Sequence, residues 1–163
     1  SGAVDQTVNA FLFYYEKALR AGKVGIPAGV FSETSLPQNV ESFHNQFVSK
    51  LLLTQALSAT VSFFNGEGAT ADFPSNGFSL NTYLEALNTV KNGSDLSTLI
   101  NDQFQVAFSK IELLDDNFIE QITNDNTKML QAYDELQRNV ILMKVDMLQA
   151  LSIDVNYIDA DGD

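Results

Sequence analysis

Apolar residues recur at three- and four-residue intervals along nearly the whole chain, the period of helices that bury one face. The first run sets Val4, Val8, Phe11, Tyr15 and Leu19 on one stripe and predicts a helix that stops near Gly22. Phe13 and Tyr14 fall off that stripe, so this helix carries apolar surface on a second side, suited to burial against another domain. A Gly- and Pro-containing stretch from Lys23 to Leu36 follows and reads as a packed loop. Ser35, Pro37 and Gln38 have the spacing of a helix start with a capping box. From there Val40, Phe43, Phe47, Leu51, Leu53, Leu57, Val61 and Phe64 predict one helix about 40 Å long that closes at Asn65-Gly66.

A shorter amphipathic stretch holds Leu80, Tyr83, Leu84 and Leu87, and Asn92-Gly93 reads as a break, not a hairpin, before Ser94 or Asp95 caps the next helix. That helix carries Leu96, Ile100, Phe104, Ala107, Phe108 and Ile111. Asp115 and Asp116 begin a brief helical turn around Phe118, Ile119 and Ile122. A last long helix starts near Asn124 or Asp125 and lines up Met129, Tyr133, Leu136, Val140, Met143, Met147 and Leu151. Beyond it, Ile153, Val155 and Tyr157 alternate with polar neighbours, which permits a short extended segment. The expected fold is therefore all-α: an antiparallel four-helix bundle with a short irregular or extended C-terminal tail, residues 1–163 forming one domain.

Composition fits a packed domain, with 45% hydrophobic residues, 12 Phe and 5 Tyr among 163 residues, and only 3 Pro. Charge narrows the partners. Nine basic against 21 acidic residues give a net charge of −12, which repels phosphate backbones and anionic lipid surfaces. No run approaches the length of a membrane span, and the start at Ser1-Gly2 lacks a leader pattern, so the chain reads as a processed or excised piece. The absence of Cys removes disulfides, thiolate nucleophiles and Cys-ligated metals, and one histidine, His44, leaves little room for imidazole chemistry.

Few side chains offer themselves as a site. His44 lies off the inward series of its expected helix and reads as a surface or interface residue. Met129, Met143 and Met147 fall on the bundle seam and read as core, not as a soft-metal box. The glycines around residues 22–29 lack the preceding strand and the Gly-Lys-Ser/Thr ending of a phosphate cradle, so Lys23, Gly25, Pro27 and Gly29 are assigned to an interdomain or end-of-bundle loop. Lys144 and Asp146 are too close in sequence to face each other on a helix, so Lys144 needs another carboxylate. Glu16 and Lys17 look like ordinary surface charges. Asp159, Asp161 and Asp163 alternate like the opening of a calcium loop but lack its closing glutamate. Asp159, Asp161, Asp163 and Lys144 are the candidate binding residues; no catalytic set, metal set or cofactor is evident within the chain.

Three separated stretches, Lys23-Val-Gly-Ile-Pro-Ala-Gly-Val-Phe-Ser32, Gly77-Phe-Ser-Leu-Asn-Thr-Tyr-Leu84, and Lys144-Val-Asp-Met147 leading to Asp159-Ala-Asp-Gly-Asp163, resemble the C-terminal half of imelysin-like proteins. The resemblance covers nearly the whole chain and is nearest in flavour to the iron-regulated imelysin-like proteins of Bacteroidetes type. It implies an exported bacterial protein, periplasmic or anchored at the outer membrane as a lipoprotein, with two helical-bundle domains. This chain would be the second, its first partner being the N-terminal imelysin-like domain and its further partners iron-uptake components. The family's Gly-x-His-x-x-Glu motif belongs to the N-terminal half; around His44, Ser42 stands at the Gly position and Phe47 at the Glu position, so no metal role passes to His44.

The expected function is thus iron uptake or metal binding by a domain that is non-catalytic alone, with iron or another divalent cation bound by the full-length protein. Two alternatives stand beside it. One is part of a metallopeptidase of imelysin type, whose catalytic metal would lie in the other half. The other is a free-standing helical interaction module using exposed aromatics such as Phe13 and Tyr14.

Overall fold

In the computed structural model, which describes residues 2–68 and 78–157, the protein is mostly helical. The first rod is α1 (Ala3–Phe13), continued by a π-helical segment, π1 (Tyr14–Gly25), and one further turn, α2 (Ile26–Ala28). The predicted stop at Gly22 is therefore wrong. In π1 the backbone pairs one residue further back than in an α-helix, and a β-carbon on Gly22 would stand 3.1 Å from the Lys17 carbonyl oxygen. Gly25 serves close packing instead: a β-carbon there would lie 2.7 Å from Tyr133 Cε2 and 2.8 Å from Phe31 Cε2. The real helix end is Gly29, with φ +81°. Of the residues assigned to a loop, Lys23, Gly25 and Pro27 are helical and only Gly29 leaves the helix.

The second helix also differs from expectation. Residues 29–48 form an irregular excursion with single 3₁₀ turns at Pro37–Asn39 and Gln46–Val48, and α3 covers only Ser49–Asn65. Neither Ser35 nor Gln38 caps a helix, and Ser42 interrupts the run with φ +61°. Val40 is buried, whereas Phe43, Phe47 and Leu51 of the same apparent stripe stay exposed. The excursion is held by an ion pair of Lys23 with Glu41, by Leu36 N donating to Pro27 O at 2.8 Å, and by Ser49 Oγ donating to Glu41 O at 2.8 Å. The stretch Gln46–Asn65 is long and apolar enough to cross a membrane by length and composition, but Leu53, Leu57 and Phe64 within it belong to the core.

After α4 (Leu80–Ala86), capped by Ser79, comes a hairpin that the sequence reading rejected. β1 (Val90–Lys91) pairs antiparallel with β2 (Ser94–Asp95), Val90 opposite Asp95. Asn92 and Gly93 have φ of 54° and 83°, the two positive values that a two-residue I′ turn requires. The hairpin leads into α5 (Leu96–Glu112); α6 (Phe118–Ile141) starts at the Asn117 cap and breaks at Asp125, φ −152°. Asp125 Oδ1 accepts from Thr127 N at 3.1 Å and restarts the helix, close to where the sequence placed a new start. A second π segment, π2 (Leu142–Met147), and α7 (Leu148–Leu151) complete the last rod. Ser152, φ +55°, ends it, and the residues to Tyr157 form no strand but run beside α1: Asn9 Nδ2 donates to Asp154 O at 3.1 Å and Asn156 N to Asn9 Oδ1 at 3.0 Å.

One core joins these rods. Val8, Leu12, Tyr15 and Leu19 meet Leu53, Leu57 and Phe64, Ile100, Phe104 and Ile111, and Met129, Leu136, Met143 and Met147. The three methionines are packing residues, as expected.

Asp95 offers a test of local folding. Its carboxylate accepts from Ser97 Oγ at 2.6 Å, from Thr98 N at 3.1 Å and from Thr98 Oγ1 at 3.0 Å, and these bonds, that of Ser97 first, hold its pKa below the ordinary aspartate value. Asp95→Ala is expected to cost about 1 kcal/mol, measured by urea unfolding at neutral pH. Because the folded pKa is depressed, the ionic part of this stabilisation is present above the unfolded value and fades as pH falls through the folded one. The difference between the parent and Asp95→Asn should shrink across that acidic window; a difference independent of pH would refute the assignment.

Candidate functional site

The two π segments hold a buried ionic cluster. On the first rod Val8, Leu12, Glu16 and Arg20 follow at four-residue intervals, so the inward ridge that begins apolar ends charged. Glu16 is 1% exposed and Arg20 0%, which corrects the surface reading of Glu16. Glu16 Oε1 lies 3.5 Å from Arg20 Nη2, and its other oxygen lies 3.3 Å from Lys144 Nζ, delivered by π2. That same oxygen accepts from the Tyr157 hydroxyl at 2.9 Å. Lys144 thus finds the carboxylate that its spacing from Asp146 demanded, while Asp146 pairs with Lys91 of the hairpin.

Arg20 extends the network across the core. Its Nη1 donates to the Tyr133 hydroxyl at 2.7 Å and to Gln137 Oε1, and its guanidinium carbon sits 5.2 Å from the centre of the Tyr133 ring. Phe31 packs edge-on against Tyr133 at 6.0 Å, and Gly25 of the first rod lies against both rings. On the other side Lys144 Nζ stands 5.5 Å from the Tyr157 ring centre, and Phe13 packs edge-on to Tyr157 at 5.6 Å. Tyr15, fully buried, donates to Leu136 O at 3.0 Å; burial pushes its hydroxyl pKa up, so it remains a donor.

The cluster suits holding chain segments in register more than chemistry. Among the described residues it sets Arg20 and Lys144 against Glu16 with little access to water, and breaking such a set is far costlier than its net contribution to stability. Among the described residues its carboxylate is that of Glu16, which already serves two positive groups and so offers little to iron or another divalent cation. Among the described residues, no three of His, Asp and Glu come together as a ligand set. His44 is exposed beside Phe43, in the irregular excursion and not on a helix. Asp159, Asp161 and Asp163 lie outside the described residues; Tyr157, which the cluster holds, precedes Asp159 by two positions.

A second feature is an apolar groove between α1 and α3. Thr7, Ala10, Phe11, Tyr14, Ala59, Thr60 and Phe63 enclose about 390 Å3, and Phe11 stacks on Phe63 at 5.0 Å along its floor. A neighbouring hollow shares Thr7 and Phe63 and reaches Val4, Phe78 and Tyr83. Tyr14, singled out as an off-stripe aromatic, lines this groove, whereas Phe13 covers Tyr157.

Compared with known proteins, the chain matches no family model, no curated protein and no solved structure.

Proposed function

We propose that this chain is the C-terminal domain of an imelysin-like exported protein, periplasmic or anchored at the outer membrane, non-catalytic by itself, that forms one wall of an iron- or metal-binding site. In this reading the fold is an antiparallel four-helix bundle, its helices being the α1–π1–α2 rod, α3, α5 and the α6–π2–α7 rod. The N-terminal domain supplies most metal ligands, and Asp159, Asp161 and Asp163 contribute carboxylates from the end of this one.

One observation supports it above the others. Two of the three stretches that carry the resemblance are the two ends of a single side-chain network whose middle, Glu16 and Arg20, is buried. Residues 23–32 bring Gly25 and Phe31 against Tyr133, and Tyr133 leads through Arg20 and Glu16 to Lys144 and Tyr157, at the threshold of the acidic terminus. Residues scattered in sequence but joined through buried charge hold Tyr157, the last described residue, to the bundle.

The test compares the protein carrying its upstream half with the same protein truncated after Tyr157, by equilibrium dialysis against ferrous and ferric iron. The longer protein is expected to bind iron, the truncated one at least tenfold more weakly, and neither to degrade denatured casein. Equal iron binding by both would remove the terminus from the site. Chelator-sensitive cleavage of casein would establish the metallopeptidase alternative instead.

A further inference from the structure

We infer that the groove between α1 and α3 is the seat of an amphipathic, lysine- or arginine-bearing helix from a partner protein. The inference is independent of the imelysin-like reading, since it uses neither the buried cluster nor the acidic terminus.

Shape comes first. The first rod turns two faces toward apolar surroundings: Val8, Leu12 and Tyr15 enter the core, while Thr7, Ala10 and Tyr14 line the groove and Val4 the hollow that continues it. On α3 the corresponding outward series is Ala59 and Phe63, four residues apart, with Thr60 beneath. Small residues on both flanks, Ala10 and Ala59, let a third backbone approach closely, and the Phe11–Phe63 stack gives it an apolar floor. From Val4 to Tyr14 the seat runs about 15 Å, near three helical turns. The hydroxyls of Thr7 and Thr60 already donate to Ala3 O and Ala56 O, at 2.8 and 2.9 Å, so the groove asks little hydrogen bonding of its occupant. Those features describe the helix-in-groove mode, read by apolar anchors at three- and four-residue spacing.

Charge selects among occupants. α1 has no lysine or arginine, nor has α4; the one basic residue of α3, Lys50, stands at the far end of that helix, bonded to the carbonyls of Glu112 and Leu114. Among the described residues α1 carries Asp5, α4 carries Glu85, and Glu67, just past α3, borders the hollow that continues the groove. A second copy of the chain would bring like charge to like, each carrying −12. An anionic membrane would be repelled in the same way. A helix with apolar anchors on one face and lysines or arginines on its flanks satisfies both the groove and its acidic border.

The chain has no tryptophan, so a tryptophan placed in a peptide reports binding without interference. The probe is an acetylated peptide of about 14 residues, long enough for the three-turn seat, with leucine and one tryptophan at helical spacing and lysine elsewhere; its counterpart carries glutamate in place of lysine. The lysine peptide is expected to bind the full chain with blue-shifted fluorescence and the glutamate peptide at least tenfold more weakly. Ala10→Gln/Ala59→Gln changes exposed positions without altering net charge, so general attraction to an acidic protein is unchanged while the seat is filled. It should cost at least tenfold in affinity with an unchanged unfolding transition, and Glu67→Gln/Glu85→Gln should flatten the salt dependence. Unaltered binding by the Ala10→Gln/Ala59→Gln chain would overturn the proposal. So would concentration-dependent dimerisation abolished by that same pair, or uptake of the chain by phosphatidylcholine vesicles with no preference for the peptide.

Discussion

Alanine in place of Glu16 is expected to lower the unfolding free energy by about 3–5 kcal/mol, the cost of removing one member of a buried ionic set. For a chain of this length that is a fall of roughly 6–20 °C in Tm. The size follows from position. Arg20 and the Glu16 carboxylate are shielded from water, and Lys144 reaches the same carboxylate at 3.3 Å, so the substitution removes a charge that two cations share. It also removes the Glu16 oxygen that accepts from the Tyr157 hydroxyl and should loosen residues 153–157, readable as faster amide exchange there than in α5. Adding Lys144→Met to Glu16→Gln should recover part of the loss, because removing both members of the pair leaves less uncompensated charge; a coupling of about 1–3 kcal/mol is expected in the double-mutant cycle. A loss below about 1 kcal/mol for Glu16→Ala, the value of an exposed pair, would show that water reaches the cluster and would defeat its role in holding residues 153–157.

The helical character and much of the core were legible from spacing alone. The series Leu96, Ile100, Phe104, Ala107, Phe108 and Ile111 and the series Met129, Tyr133, Leu136, Val140, Met143, Met147 and Leu151 are buried except for Phe108 and Leu151, which are partly buried against the core, because the helical period keeps one face inward. The run from Val40 to Leu51 misled for a definite reason. Phe43, Phe47 and Leu51 keep helical spacing, but the step from Leu51 to Leu53 is a change of register, and Glu41 to Asn45 offers mostly residues with little helix propensity. The hairpin was missed because its strands are two residues long and show no alternation, leaving Asn-Gly as the whole signal.

The site was half legible. Spacing on one helix showed that Lys144 required a distant carboxylate, yet it could not say which, since that depends on two rods meeting. Glu16 was available to a closer reading: it continues the four-residue ridge of Val8 and Leu12 and precedes Arg20 by another four. The π segments were not legible at all. Tyr15, Glu16, Leu19 and Arg20 all turn inward in the first of them, but that spacing fits an ordinary α-helix as well, so the pattern carries no signal for the wider turn.

Gly29→Ala is expected to cost about 2–5 kcal/mol, and Gly93→Ala provides its control within the same chain. Both glycines have nearly the same backbone, φ +81° and +83°, so both alanines meet the same left-handed strain of about 1–2 kcal/mol. Their surroundings differ. At Gly93 an added β-carbon meets nothing within 4 Å, whereas at Gly29 it would stand 2.6 Å from the Thr34 carbonyl oxygen and 2.8 Å from Ser35 Cα. Those are backbone atoms, unable to rotate aside, and they belong to the turn that Ser32 N closes on Gly29 O at 3.2 Å and that Leu36 N ties to Pro27 O. Relief would pull this excursion from the end of the first rod, where Asn126 Nδ2 donates to Ala28 O at 2.9 Å and Lys23 pairs with Glu41. Urea unfolding of the two variants therefore separates strain from contact. Equal losses of about 1 kcal/mol would mean that the approach of Thr34 has no energetic weight, and that the resemblance stretch at 23–32 is conformational in origin. A markedly larger loss at Gly29, with the thermal transition at Gly93 shifted only slightly, would make that stretch the clamp that seats Phe31 and Gly25 against Tyr133.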